Sequence, residues 1–253
     1  MKIIFNADDF GHSKGVNFGI IDAYINGVVR STTMMAGMPG FEHAVHLAAK
    51  HPGLGIGVHL TLTAGSSVGG PYQTITDSEG RFFSKSIVEK RMANGEFDLR
   101  EVETEYVAQI HKIMAAGIIP DHLDSHHHIH NLPGIVDIFL QLARNFGVGV
   151  RIYNKCILRG KYADVIAASD FCDAFYDEKA TEADLVALIS RFSGASLEVM
   201  CHPAYLDSVL LETSSYNLKR IYELKVLTNP SVRSFLMDNG HELCSFRDLC
   251  INS

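Results

Sequence analysis

Short apolar runs alternate with amphipathic helical patterns along almost the whole chain. The strand-like runs are residues 2–6, 55–62, 122–126, 148–153, 171–175, 197–201 and 242–245. Between them, residues 16–28 carry Ile20, Ile21, Ala23 and Tyr24 at helical spacing, and residues 41–50 follow a Pro-Gly turn. Residues 98–116 give the clearest helix, with Val102, Tyr106, Ile110 and Ile113 forming an apolar stripe. Asp98 and Glu101 stand at capping-box spacing before that stripe. Residues 132–146 and 181–192 repeat the theme, and Asn229-Pro230 places a capping residue before a proline at the first helical position. Such alternation calls for parallel strands joined by crossover helices. Seven units suit a closed β/α barrel better than a small open sheet, and 253 residues fit a single barrel domain spanning 1–253.

Composition narrows the class. Hydrophobic residues make up 47% and charged residues 20%, enough apolar material for a core and too little charge for disorder. A net charge of −7 argues against a nucleic-acid partner, which calls for a basic face. No apolar run reaches membrane-spanning length, and the N-terminus does not read as a secretory signal. Cys156, Cys172, Cys201, Cys244 and Cys250 are odd in number and include no C-x-x-C pair, so we expect buried free thiols in a reducing compartment. The expectation is a soluble cytoplasmic protein with no membrane partner. A homodimer is the default assembly.

In parallel β/α folds, chemistry gathers at the carboxyl ends of the strands. Asp8 and Asp9 end the first apolar run, where two adjacent carboxylates are costly without a partner. His59 lies in the second run, and His126, His127, His128 and His130 close the third. His202 follows the late run 197–201. Four distant segments thus deliver polar residues to one rim. One carboxylate and two imidazoles make a three-ligand site for a divalent cation, and we assign Asp9, His59 and His126 to it. Water there can be acidified, to a pKa near ~7 in favourable zinc sites. Asp8 is the expected base, and His202 is placed to protonate a leaving amine or hold an oxyanion. Asp124, two residues before His126, falls on the same strand face and suits the support of a ligand histidine. His127, His128 and Arg151 join it as residues that back the ligands or touch substrate. Asp8 and Asp9 can serve one site only if the chain turns there, and Phe10-Gly11 permits a turn. His12, His43, His46, His51, His111 and His241 are expected to be structural or solvated. The glycine-rich stretch from Ala64 to Arg81 is either a substrate wall or lid, or a surface insertion.

These motifs resemble the YdjC-like (ChbG) carbohydrate deacetylases. The matching stretches are Asn6-Ala7-Asp8-Asp9-Phe10-Gly11, Ser13-Lys14-Gly15-Val16-Asn17, Ser31-Thr32-Thr33, Gly57-Val58-His59-Leu60 and His122-Leu123-Asp124-Ser125-His126-His127-His128-Ile129-His130. Met200-Cys201-His202-Pro203 and a late stretch with Ser215, Tyr216, Arg220 and Glu223 extend the likeness. The resemblance implies a distorted, seven-stranded (β/α) barrel related to the polysaccharide deacetylases. It further implies removal of the N-acetyl group from an N-acetylglucosamine unit of small chitooligosaccharides such as diacetylchitobiose. Magnesium is the metal it implies, with zinc the alternative. Asp9, His59 and His126 would be ligands, Asp8 the base and His202 the acid. A metal-dependent phosphoesterase and a non-catalytic sugar- or metal-binding protein are the competing readings.

Overall fold

The computed structural model describes residues 1–252, with side chains described through residue 249. Its strands are β1 (Lys2–Phe10), β2 (Ser31–Met34), β3 (Gly55–Leu60), β4 (His122–Ser125), β5 (Gly149–Val150), β6 (Asp170–Cys172), β7 (Ser196–Cys201) and β8 (Glu242–Leu243). The helices are α1 (Lys14–Ile25), α2 (Phe41–Lys50), α3 (Lys85–Ala93), α4 (Leu99–Ala115), α5 (Ile135–Phe146), α6 (Glu182–Ile189), α7 (Ser208–Thr213), α8 (Lys219–Leu227) and α9 (Pro230–Asp238). Every named ladder is parallel, in the order β5-β4-β3-β2-β1-β7-β6, with β8 pairing the start of β1. Among the described residues no ladder joins β5 to β6. The Val150 amide instead bonds the Ile166 carbonyl at 2.8 Å. The curled sheet is therefore a distorted barrel, open on that side.

Side-chain alternation along β1 sorts the interior. Ile3, Phe5 and Ala7 pack with the main apolar cluster that includes the helices, while Ile4 packs with Cys244 and Phe246. Ile4, Asn6 and Asp8 form the other face, which turns from apolar to ionic towards the carboxyl end of the strand.

Three expectations need correction. Strand β2 was not among the expected runs, so His59 lies in the third strand and Asp124 in the fourth. Ser31-Thr32-Thr33 looks too polar for a buried strand, yet all three residues are buried because each hydroxyl has a partner. Ser31 donates to Asn6 Oδ1 (2.7 Å), Thr32 to the Ala7 carbonyl (2.5 Å) and Thr33 to Asp124 Oδ2 (3.0 Å). Second, Asp98 caps α4 through the Arg100 amide, but Glu101 does not close the box. It accepts instead from the Gln73 and Thr74 amides (3.0 and 2.8 Å), tying down the loop after β3. Third, Cys172, Cys201 and Cys244 are buried thiols, but Cys156 is exposed. The side chain of Cys250 lies outside the described residues.

Candidate metal and active site

The aspartate pair reaches one site because β1 bulges at Asp9 itself. Asp9 has φ 73, and the β1–β2 register shifts between Ala7 and Phe10. A left-handed aspartate is uncommon, and such strain gathers at functional sites. The turn starts one residue before the Phe10-Gly11 position expected, with Gly11 (φ 98) completing it.

The third histidine segment is not a strand continuation. His126 opens a 3-10 segment (His126–Asn131), and His127 and His128 are both left-handed, at φ 57 and 55. Two such residues cost about 1–3 kcal/mol each. The reversal turns His126 towards Asp9, seats His127 Nδ1 2.9 Å from Thr63 Oγ1, and lays His128 edge-on against Tyr153 and Phe171. His130 is a core residue, 2.7 Å from Ser125 Oγ and stacked on Phe139.

Asp9 Oδ1, His59 and His126 offer ligand atoms that all lie within 4.8 Å of one another. His59 Nε2 is 3.3 Å and His126 Nδ1 3.1 Å from Asp9 Oδ1. That oxygen is buried without a hydrogen-bond partner, whereas its twin Oδ2 accepts from Arg220 Nη2 at 2.6 Å. Asp124 Oδ1 lies 2.7 Å from His59 Nδ1 and accepts its hydrogen bond, so Nε2, which faces Asp9, is the nitrogen that would ligate a cation on losing its proton. Asp124 therefore supports His59, not the nearer-in-sequence His126. Burial pulls the His59 ring down, but Asp124, Asp9 and Asp8 outweigh it and push it up to about 10. An orphaned carboxylate oxygen, two converging imidazoles and surplus negative charge are a fitting cradle for a divalent cation. Asp8, His59 and Asp124 also cluster, but the guanidinium of Arg151 already occupies the two carboxylates.

Arg151 is fully buried. It donates to Asp8 through Nη1 (2.6 Å) and Nη2 (2.7 Å), and through Nε to Glu198 (2.7 Å), and its Nη1 is 2.9 Å from Asp124 Oδ2. Burial would raise the Asp8 carboxyl, but Arg151 holds it well below the usual carboxylate range. Burial likewise raises Glu198, against the pull of Arg151. Asn6 Nδ2 adds a bond to Asp8 Oδ1 at 2.9 Å. His202 Nε2 stands 4.0 Å from Asp8 Oδ2, and Nδ1 stands 3.7 Å from Glu223 Oε1. Glu223 is buried and accepts from the His202 amide and the Tyr216 hydroxyl.

Of these groups, Asp8, Asp9, His59, Thr63, Ser125, His126, His127, His128, His202, Tyr216 and Arg220 line one cavity of about 420 Å³. His12 also lines it and is buried. Burial holds its ring down at about 4. Asp8, Asp9, His59, His126, His127, His128 and His202 meet at this cavity, with Asp124 and Arg151 behind them. Glu198, Glu223, Thr33 and Arg220 had no expected role. Glu198 alone left a local signal: a lone acid on the same face as Met200 and His202, in an otherwise apolar strand, demands a buried cation.

The YdjC-like family model matches residues 2–238. The chain belongs to the YdjC-like family. It is 38% identical to a YdjC-like relative, a carbohydrate deacetylase of Clostridium beijerinckii, over 98% of this chain and all of the relative. A Listeria monocytogenes carbohydrate deacetylase is 41% identical over the same shares. Among solved structures, an Enterococcus faecalis protein named for cellobiose-phosphate cleavage superposes with a TM-score of 0.90 at 34% identity, over 98% of each chain. The peptidoglycan deacetylase PdaC of Bacillus subtilis superposes with a TM-score of 0.52 at 11% identity, over 98% of this chain and 89% of the other. The YdjC-like barrel therefore shares its fold with polysaccharide deacetylases.

Proposed function

We propose that the protein is a metal-dependent carbohydrate deacetylase, a single catalytic unit over residues 1–253. Its substrate would be a small chitooligosaccharide such as diacetylchitobiose, from which it removes an N-acetyl group. The observation that carries this reading is the partnerless Asp9 Oδ1 facing two imidazoles, beside an ionised Asp8 that has His202 4.0 Å away. Relatives named carbohydrate deacetylases support the substrate class.

Asp9, His59 and His126 would hold the cation. When bound, it supplies Lewis-acid chemistry to the acetamide and to water. Asp8 would accept the proton of the attacking water. Arg151 keeps that carboxylate charged and aimed, at the cost of basicity. His202, 4.0 Å from Asp8, would deliver a proton to the leaving amine, with Glu223 fixing its backbone. Two imidazole donors favour zinc-like ions over magnesium, which prefers all-oxygen shells. The family resemblance points to magnesium, so metal content of the purified protein is the deciding measurement.

The phosphoesterase reading has less support: Arg151 is committed to carboxylates and does not line the cavity, and Arg220, which does, gives Nη2 to Asp9 and Nε to the Tyr216 carbonyl. The test is acetate release from diacetylchitobiose by the metal-loaded protein, with His59→Ala and His126→Ala as controls. Both variants should lose stoichiometric metal and turnover together. Full metal occupancy in both, or hydrolysis of phosphomonoesters alone, would sink the proposal.

A further inference from the structure

Arg220 is the second residue of α8 and is buried, at 2% exposure, yet it lines the cavity. Its backbone is fixed on both sides. Its amide donates to the Asn217 carbonyl at 3.1 Å, and its carbonyl accepts from the Ala204 amide at 3.4 Å, two residues beyond His202. The guanidinium is held as well. Nε donates to the Tyr216 carbonyl at 2.7 Å, and Cζ lies 5.6 Å from the centre of the Tyr216 ring. The chain leading into α8 therefore sets where Nη2 stands.

Nη2 donates to Asp9 Oδ2 at 2.6 Å. The other oxygen, Oδ1, faces His59 Nε2 and His126 Nδ1 without a hydrogen-bond partner. A carboxylate with both oxygens free can grip a divalent cation at two points. Held by Arg220, Asp9 offers one.

This arrangement works against tight cation binding. It withholds a donor oxygen, and it fixes a positive charge beside the site. It is also imperfect as a structural contact, because Arg220 Nη1 is buried with no partner. Buried donors are paired in the large majority of cases, so stability alone does not select this guanidinium. What the arrangement favours is openness. Three single-point donors leave positions free for water and for the acetamide oxygen, which Lewis-acid hydrolysis requires.

We propose that Arg220 is a positioning residue that confines Asp9 to one free oxygen, so that cation binding is weakened and positions for water and substrate stay open. The inference rests on the metal-dependent reading and concerns a residue outside both the ligand set and the acid-base pair. The experiment compares wild type with Arg220→Met, which replaces the guanidinium by an unbranched apolar side chain. Zn²⁺ affinity is read by competition with a chelator, and acetate release from diacetylchitobiose with each protein saturated in Zn²⁺. Arg220→Met should bind Zn²⁺ about tenfold more tightly or better. Its kcat should fall by about tenfold or more, with KM within about threefold. A merely structural role predicts the opposite change in affinity. Wild-type or weaker Zn²⁺ binding by the folded variant overturns the proposal, as does tighter binding with kcat unchanged. If Arg220→Met does not fold alone, excess Zn²⁺ should restore its native circular dichroism, because the cation takes over the abandoned oxygen. A variant that stays unfolded in excess Zn²⁺ overturns the proposal. If wild type binds Zn²⁺ but releases no acetate, the deacetylase reading fails and affinity alone decides: tighter binding by the variant upholds the role of Arg220, and equal or weaker binding overturns it. Absence of Zn²⁺ binding by wild type overturns both.

Discussion

Asp8 and Asp9 are bonded neighbours, yet their surroundings differ in kind. Asp8 belongs to a closed network: both oxygens meet Arg151, which also serves Asp124 and Glu198. Asp9 is half closed, with Oδ2 on Arg220 and Oδ1 without a partner. A buried network whose atoms are all satisfied specifies geometry, whereas a buried atom left unsatisfied marks where something must bind. Acid-base work fits the first aspartate and cation binding the second.

The largest expected effect comes from breaking the closed half. Arg151→Met leaves Asp8, Asp124 and Glu198 buried without their cation and should cost about 3–5 kcal/mol of stability, read from denaturant unfolding. A loss below about 1 kcal/mol would mean that the network is not closed in the way described. Next, Asp8→Asn should keep stoichiometric metal but lower kcat by about 10²- to 10⁴-fold, as removal of a general base does. Asp9→Asn should instead lose the metal. If the two variants behave alike, the division between the aspartates fails. Asp124→Asn, which unsettles the tautomer of His59, should weaken metal binding by about 10–100-fold, measured by competition with a chelator.

The smallest effect concerns His130, beneath the site. Burial, then the charge of His128, holds its ring well below the ordinary histidine range. The unfolded chain takes up this proton near pH ~6.5 and the folded chain does not. Stability from this residue is therefore complete above that pH and falls as the pH drops below it, by at most about 1.4 kcal/mol per unit. His130→Phe should flatten the stability profile between pH ~6.5 and ~5. An unchanged slope would remove His130 as its source.

Strand-ending polar residues were legible because period-two alternation and the β/α rhythm are local. Asp8, Asp9, His59, His126 and His202 could thus be assigned to one rim. Strand β2 was not legible, since the partners that make Ser31, Thr32 and Thr33 tolerable in the interior come from β1 and β4. Arg220 and Glu223 stood in a recognisable stretch, but nothing local says that a helix over 200 residues away reaches back to Asp9.

By itself, the sequence determined the alternation of elements, the donor types and the strand ends that carry them. Tertiary structure decided which carboxylate meets which guanidinium, which oxygen of Asp9 stays free, and that Asp124 serves His59. Those choices depend on distances between segments far apart in the chain. In a low-dielectric interior, a shift of an ångström decides whether a charge is paired or open to a ligand.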